Sequence, residues 1–220
     1  MIKPASTLQI EPRWPVALTV MFVLGVLRVL PDRIRVLPIW FQSLFGIALL
    51  AAMLAVGVMK AKQRWLRVER LVLLIFCIVN GVLMLWYLVH LIREMLYHST
   101  DLDGLQLLTS SIGVWVTNVL IFSLLYWRFD RGGPENRVHH TTTRPDLLFP
   151  QTGLSEAEWA DWEPTFVDYL FLSFTAATAF SPTDTLPLTT RAKLAMMLEG
   201  AISLMTLVVV GARAINILGS

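Results

Sequence analysis

Long runs of apolar residues alternate with shorter polar segments along most of the chain. A membrane-spanning helix needs roughly 20 predominantly apolar residues at about 1.5 Å per residue, and five runs reach or approach that length. They cover residues 16–30, 38–59, 71–92, 105–127 and 194–218. The pattern predicts an all-α, polytopic membrane protein with five membrane-spanning helices.

A sixth apolar segment, residues 166–180, is too short to fit this pattern. Its roughly 15 residues suffice for about half a bilayer, and Asp168 near its start complements the helix dipole. Pro182 and Pro187 follow and cannot continue a helical ladder. A non-helical return within a membrane is tolerated only where it is buried in protein or lines water. The segment therefore predicts a re-entrant half-helix; the alternative is a sixth spanning helix and a short turn.

Composition favours a membrane protein over a soluble one. Of the 220 residues, 55% are hydrophobic and 15% are charged, whereas soluble domains average roughly 45–50% and about 25%. The net charge of +2 does not indicate a nucleic-acid partner. The single cysteine, Cys77, cannot form an internal disulfide. We expect residues 16–30 to be a retained helix rather than a cleaved signal, and the lipid bilayer to be the main partner.

The motifs of common enzyme chemistries are missing from the sequence. It contains no nucleophile elbow, no H-E-x-x-H zinc motif, no phosphate-binding loop and no cysteine-rich metal spacing. The adjacent His139 and His140 are interpreted as solvated loop residues rather than a metal site with Asp146, because sequence neighbours seldom converge on one ion. We therefore expect no catalytic residue, no cofactor and no metal.

Polar residues inside the apolar runs are costly and are usually turned toward protein or water. We interpret Asn80 and Asn118 as interhelical hydrogen-bonding residues; the alternative is that both face the cavity of a small-solute transporter. Glu199 lies in the last run. We interpret it as a partner of Lys193 or Arg191 near the membrane surface, and a cation-attracting residue in a pore is the alternative.

Residues 178–189 resemble the pore loop of the potassium-channel superfamily in its prokaryotic two-helix form. That family places T-T-V-G-Y-G-D-x-x-P-x-T after a pore helix, and an inner helix with a basic start follows. Aligned without gaps, Thr178 falls on the first threonine, Asp184 on the aspartate, and Pro187 and Thr189 on the P-x-T.

The resemblance covers about half of the chain. It implies a pore-like module over residues 105–220, which includes the long polar loop 128–165, and a peripheral collar of membrane helices over residues 1–104. It also implies a homotetramer that passes monovalent cations through the inner membrane of a bacterium.

The chain departs from the family in the selectivity filter. Residues 179–183 read A-F-S-P-T where the family has T-V-G-Y-G, and side chains at the glycine positions oppose the backbone geometry of a carbonyl-lined filter. Hydroxyls in place of ordered carbonyls favour hydrated or weakly selected cations over dehydrated potassium. The residues of the predicted ion pathway are Thr178, Ala179, Phe180, Ser181, Pro182, Thr183, Asp184 and Glu199.

The sequence is compatible with more than one function and with two orientations in the membrane. The leading interpretation is a channel-like protein; a non-conducting scaffold or regulatory protein and a small-solute transporter are the others. Basic residues in 60–70 and at the start of 128–165 place those loops in the cytoplasm by the positive-inside rule. The pore resemblance instead places the long loop outside, where its acidic second half would concentrate cations.

Overall fold

The computed structural model describes a bundle of helices with one short pair of strands. The described residues are 12–29, 38–58, 63–97, 104–138, 144–152, 154, 162–181 and 184–218. The helices are α1 (Trp14–Val29), α2 (Ile39–Val58), α3 (Gln63–Tyr97), α4 (Gly104–Phe129), α5 (Pro134–Val138), α6 (Phe166–Ala179) and α7 (Thr190–Leu218). Strands β1 (Leu147–Leu148) and β2 (Leu186–Pro187) pair antiparallel.

The all-α prediction is confirmed, and the helices are apolar enough for a membrane protein. Three of them are both long and apolar enough to cross a bilayer, over Trp65–His90, Leu108–Gly132 and Thr190–Gly211. The apolar parts of α1, α2 and α6 are shorter. The predicted number of five spans is therefore not confirmed, although a helix lies in each of the five predicted runs.

The first three helices pack beside α4 through a few polar links and a large apolar core. The Arg13 guanidinium donates to Glu69 at 2.6 Å, which ties the start of α1 to α3. Arg28 at the end of α1 donates to the Ser43 hydroxyl of α2 at 3.2 Å. The Cys77 sulfur lies 4.0 Å from the carbonyl oxygen of Ile121 on α4.

Helix α6 runs back along α4. At its start, the Asp168 carboxylate accepts hydrogen bonds from the backbone N–H and the hydroxyl of Thr165, at 2.7 and 2.8 Å. Asp168 therefore lies in the first turn of α6, as predicted, and forms a capping box with Thr165. The Phe166 ring packs on Trp127, with centroids 6.3 Å apart, and Phe174 packs on Trp115 at 5.9 Å. Successive residues of α6 therefore meet earlier residues of α4, so the two helices are antiparallel.

The chain after α6 returns to the end of the bundle at which α6 began. We call this the aspartate end, because Asp130 and Asp146 are buried there. The Leu188 N–H donates to the Asp146 carbonyl at 2.8 Å, next to the β1–β2 pair. Helix α7 then starts beside Asp146 and runs along α4 in the same direction as α6. Residues 180–189, here called the return segment, therefore connect two helices that start at the same end.

Candidate functional site

Apart from Glu199, the described residues of the predicted ion pathway lie at the tip of α6 and in the return segment. Phe180 caps α6 in the left-handed conformation, with φ of 54°, and its side chain is 47% exposed. Thr178 is exposed, and its hydroxyl donates to the Phe174 carbonyl one turn earlier at 2.7 Å. Ser181 and Asp184 are exposed. Ala179 ends α6, and residues 182–183 lie outside the described residues.

A cavity of about 320 Å³ opens at the tip of α6, between α4 and α7. Its walls are mainly apolar, and the Thr206 hydroxyl in its lining donates to the Ile202 carbonyl of its own helix at 2.8 Å. Lining residues include Trp115, Ala177, Thr178, Phe180, Thr206 and Val210. The cavity exists because α6 stops after 14 residues while α4 and α7 continue past it.

Asp146 joins the long loop to the return segment and to α7. Its buried carboxylate accepts from the Thr189 hydroxyl at 2.6 Å and from Arg191 through Nε at 2.6 Å and Nη2 at 2.5 Å. The Arg191 guanidinium also donates to the Phe129 carbonyl at 3.3 Å. A bidentate arginine–carboxylate pair fixes direction as well as distance, so the start of α7 is oriented against the end of α4.

Asp130, at the start of the long loop, likewise joins that loop to neighbouring helices. Its carboxylate accepts from the backbone N–H groups of Asp146 at 2.9 Å and Leu147 at 3.2 Å. The Tyr169 hydroxyl of α6 donates to the other oxygen at 2.7 Å. The Arg137 guanidinium donates to the Asp130 carbonyl at 3.2 Å and lies 5.1 Å from the centre of the Tyr169 ring. The two aspartates thus connect α4, α6, the loop and α7.

Glu199 lies deeper in the bundle and is fully buried at 0% exposure. Its Oε2 accepts from the Tyr126 hydroxyl of α4 at 2.5 Å, and its Oε1 is hydrogen-bonded to the Ser173 hydroxyl of α6. The Asn118 amide of α4 donates to the Glu199 carbonyl at 3.1 Å and to the Ser203 hydroxyl at 2.8 Å. We call these five residues the Glu199 cluster.

The interpretation of Glu199 as a surface partner of Arg191 or Lys193 is wrong. Helix α7 begins at Thr190, four residues before the start of the predicted run, and Arg191 binds Asp146 instead. Glu199 consequently lies about 13 Å along the helix from its first residue, at 1.5 Å per residue, and faces α4 and α6. Its assignment to a cation pathway stays a prediction.

The two buried asparagines behave differently. Asn118 makes the predicted interhelical hydrogen bonds, to α7, so that interpretation is confirmed. Asn80 donates to the Phe76 carbonyl of its own helix at 2.8 Å, so the interhelical interpretation of Asn80 is wrong. Sequence reasoning did not single out Tyr126 or Ser173. One is an aromatic and the other a small residue in an apolar helix, and nothing local distinguishes either as the partner of a carboxyl group.

Comparison of the chain with protein families, with curated proteins and with solved structures finds no match. The resemblance to potassium channels therefore rests on the residues of the return segment and its flanks alone.

Proposed function

We propose that the chain is a channel-like membrane protein that assembles as a homo-oligomer around the return segment and α7. The observation that carries the proposal is the path of the chain: α6 and α7 begin at the same end of the bundle, and a non-helical segment joins them. In this proposal α6 is a re-entrant half-helix, α4 and α7 flank it, and α1 to α3 form the collar.

The exposure of the return segment supports assembly. Phe180, Ser181 and Asp184 are exposed in the single chain, yet a non-helical backbone at membrane depth requires protein or water beside it. A ring of copies, four if the family resemblance holds, supplies both, because each segment then faces its neighbours and a shared water-filled axis. Exposed apolar residues of α7, such as Met197 and Val208, pack against lipid or against neighbouring copies.

The chemistry of the return segment favours monovalent cations with weak selection. The hydroxyls of Ser181 and Thr183 and the carboxylate of Asp184 are oxygen ligands, the type that hard cations prefer. Side chains at the positions where the related family has glycine oppose a row of backbone carbonyls. A cation that keeps part of its hydration shell fits such a site better than a dehydrated potassium ion.

Ion flux through liposomes that contain the purified protein tests this proposal. We expect sodium and potassium to pass at similar rates and a large organic cation to be excluded. Ser181→Gly and Thr183→Gly should change the ratio of the two ions, because each removes a hydroxyl from the pathway. Thr152→Gly makes the same chemical change at an exposed loop position and should leave the ratio unaltered. Flux that is absent, or identical for all variants across the ion series, would overturn the proposal; absent flux from an intact oligomer would favour the non-conducting scaffold.

Membrane orientation is tested separately with a single introduced cysteine. Thr152→Cys, in a chain whose buried Cys77 is replaced by alanine, places a thiol at the aspartate end. Labelling of intact cells by an impermeant reagent is expected if this end is the outer mouth, and it counts against six full spans. Protection would follow the positive-inside rule and contradict an outward-facing pore. Asp101→Cys, between α3 and α4 in the sequence, is the control with the opposite expected result.

A further inference from the structure

The hydrogen bonds around Glu199 need one more hydrogen than an ionised glutamate leaves available. The Ser173 oxygen is hydrogen-bonded to Glu199 Oε1 and lies 2.7 Å from the carbonyl oxygen of Val119. A carbonyl oxygen only accepts, and a serine hydroxyl carries one proton. If Glu199 were ionised, Ser173 would have two acceptors and one proton, so one pair of oxygens would face each other with no hydrogen between them.

We infer that Glu199 binds a proton inside the span and is a neutral carboxylic acid in the folded protein. Its Oε1–H then donates to Ser173, and Ser173 donates to the Val119 carbonyl. The Tyr126 hydroxyl donates to Oε2. Each contact then has one donor and one acceptor. The donors form a chain that runs from Glu199 on α7 through Ser173 on α6 to the Val119 carbonyl on α4.

Among the described residues, none places a compensating positive charge beside Glu199. Tyr126 is the titratable group that faces it from α4, and α6 presents the uncharged Ser173. On α3, the thiol of Cys77 is directed at the Ile121 carbonyl. On α7 itself, Arg191 binds Asp146 and Lys193 is exposed. An isolated buried carboxylate is strongly disfavoured and becomes neutral when it lacks a partner charge, which agrees with the hydrogen-bond pattern.

The bound proton determines how firmly α6 is held. The neutral acid connects α7 to α6 by a donated hydrogen bond, five residues before Thr178 at the tip that carries the return segment. Removal of the proton leaves the single Ser173 hydrogen to serve two acceptors, Glu199 Oε1 and the Val119 carbonyl. One of the two contacts then loses its hydrogen bond, and a charge lies between the helices. Both hydrogen bonds of Ser173 are therefore present while Glu199 is protonated, and one of them is lost as the pH rises. This inference goes beyond the proposed function and holds whether or not the assembly conducts ions.

Infrared spectroscopy of the full-length protein in lipid tests the inference directly. A protonated carboxyl has a carbonyl stretch that is separate from the amide and carboxylate bands. We expect this band at neutral pH in the unaltered protein, its loss at raised pH, and its absence from Glu199→Gln. Glu163→Gln is the matched control, because Glu163 pairs with the Arg131 guanidinium at 2.8 Å; its replacement should leave the band in place.

Thermal unfolding provides an independent readout. A glutamine amide donates to Ser173 and accepts from Tyr126 as the neutral acid does, so Glu199→Gln should melt at the same temperature as the unaltered protein at neutral pH. At raised pH the variant should be the more stable of the two. Glu199→Ala, which removes both contacts, should melt earlier at every pH.

Two results would overturn the inference. One is a spectrum in which the unaltered protein and Glu199→Gln do not differ in the protonated-carboxyl region. The other is a Glu199→Gln protein as unstable as Glu199→Ala. If neither variant folds, Tyr126→Phe decides: the loss of one hydrogen bond to Oε2 must shift the band of a neutral Glu199, and an unshifted band contradicts the assignment.

Discussion

The pair formed by Asp146 and Arg191 predicts an asymmetric effect of removing either partner. Asp146→Ala deletes a buried carboxylate and leaves Arg191, whose side chain is 60% exposed and can be hydrated by water. Arg191→Ala instead leaves a fully buried carboxylate that keeps, among the described residues, the Thr189 hydroxyl as its side-chain donor. The variant that removes the exposed partner should therefore be the less stable of the two.

The contacts of Asp146 set the size of each effect. Loss of the hydrogen bond from Thr189 to the charged carboxylate costs about 1.5 kcal/mol, the lower end of the range for bonds to charged groups. The charged pair adds only about 1 kcal/mol more, because the largely exposed guanidinium is screened by solvent. Asp146→Ala should thus lose about 2.5 kcal/mol, which lowers the melting temperature of a chain of this size by about 5–10 °C. Arg191→Ala should lose about 3 kcal/mol, the lower end of the range for stranding a buried charge.

Melting of the detergent-purified protein in a double-mutant cycle is the appropriate assay. The double variant should be no less stable than Arg191→Ala, because the second change removes the stranded charge. Lys193→Ala, two residues further along α7 and exposed, is the control and should melt unchanged. The reasoning is refuted if Asp146→Ala proves less stable than Arg191→Ala, or if the two losses add within about 0.5 kcal/mol, as independent sites do.

Three further substitutions have expected outcomes in the same melting assay. Asp168→Ala removes the capping carboxylate of α6 and should cost about 1 kcal/mol; no change would argue that the cap does not form. Gly133→Ala should cost at least about 1–2 kcal/mol, since φ is 103° and a Cβ would lie 3.0 Å from the Arg128 carbonyl oxygen. Gly81→Ala has open space and serves as its control. Phe180→Gly should stabilise by up to about 1 kcal/mol, because glycine relieves the left-handed conformation; a loss would mean that the half-exposed ring contributes more than its backbone costs.

The helices are largely predictable because hydropathy and helix boundaries coincide where a polar or proline residue ends an apolar run. Helix α6 begins at Phe166 and ends at Ala179, one residue short of the predicted segment. Helix α3 shows the limit of this reasoning. It starts at Gln63, eight residues before the apolar run, because arginine, glutamate and leucine are good helix formers whether or not they face lipid.

The polar contacts were less predictable, since they join residues distant in sequence. The cost of burying an amide predicts that the Asn118 side chain forms a hydrogen bond. The structure shows this bond to the Glu199 carbonyl of α7, 81 residues away. The same cost does not identify the partner, and for Asn80 the partner is its own helix. Tyr126 and Ser173 lie 73 and 26 residues from Glu199, and only the packing of three helices brings them to one carboxyl group.

Under the proposed re-entrant path, the short length of α6 also sets the side of the membrane from which α7 starts. Its 14 residues extend about 21 Å, less than the roughly 30 Å hydrocarbon core, and the chain turns back. Helix α7 therefore starts at the end of the bundle where α4 ends. An insertion that lengthened α6 into a complete crossing would add one crossing of the membrane. Helix α7 would then cross in the opposite direction, and its C-terminal end would lie on the other side. Under that proposal, the early stop at Ala179 decides the orientation of the final helix in the membrane.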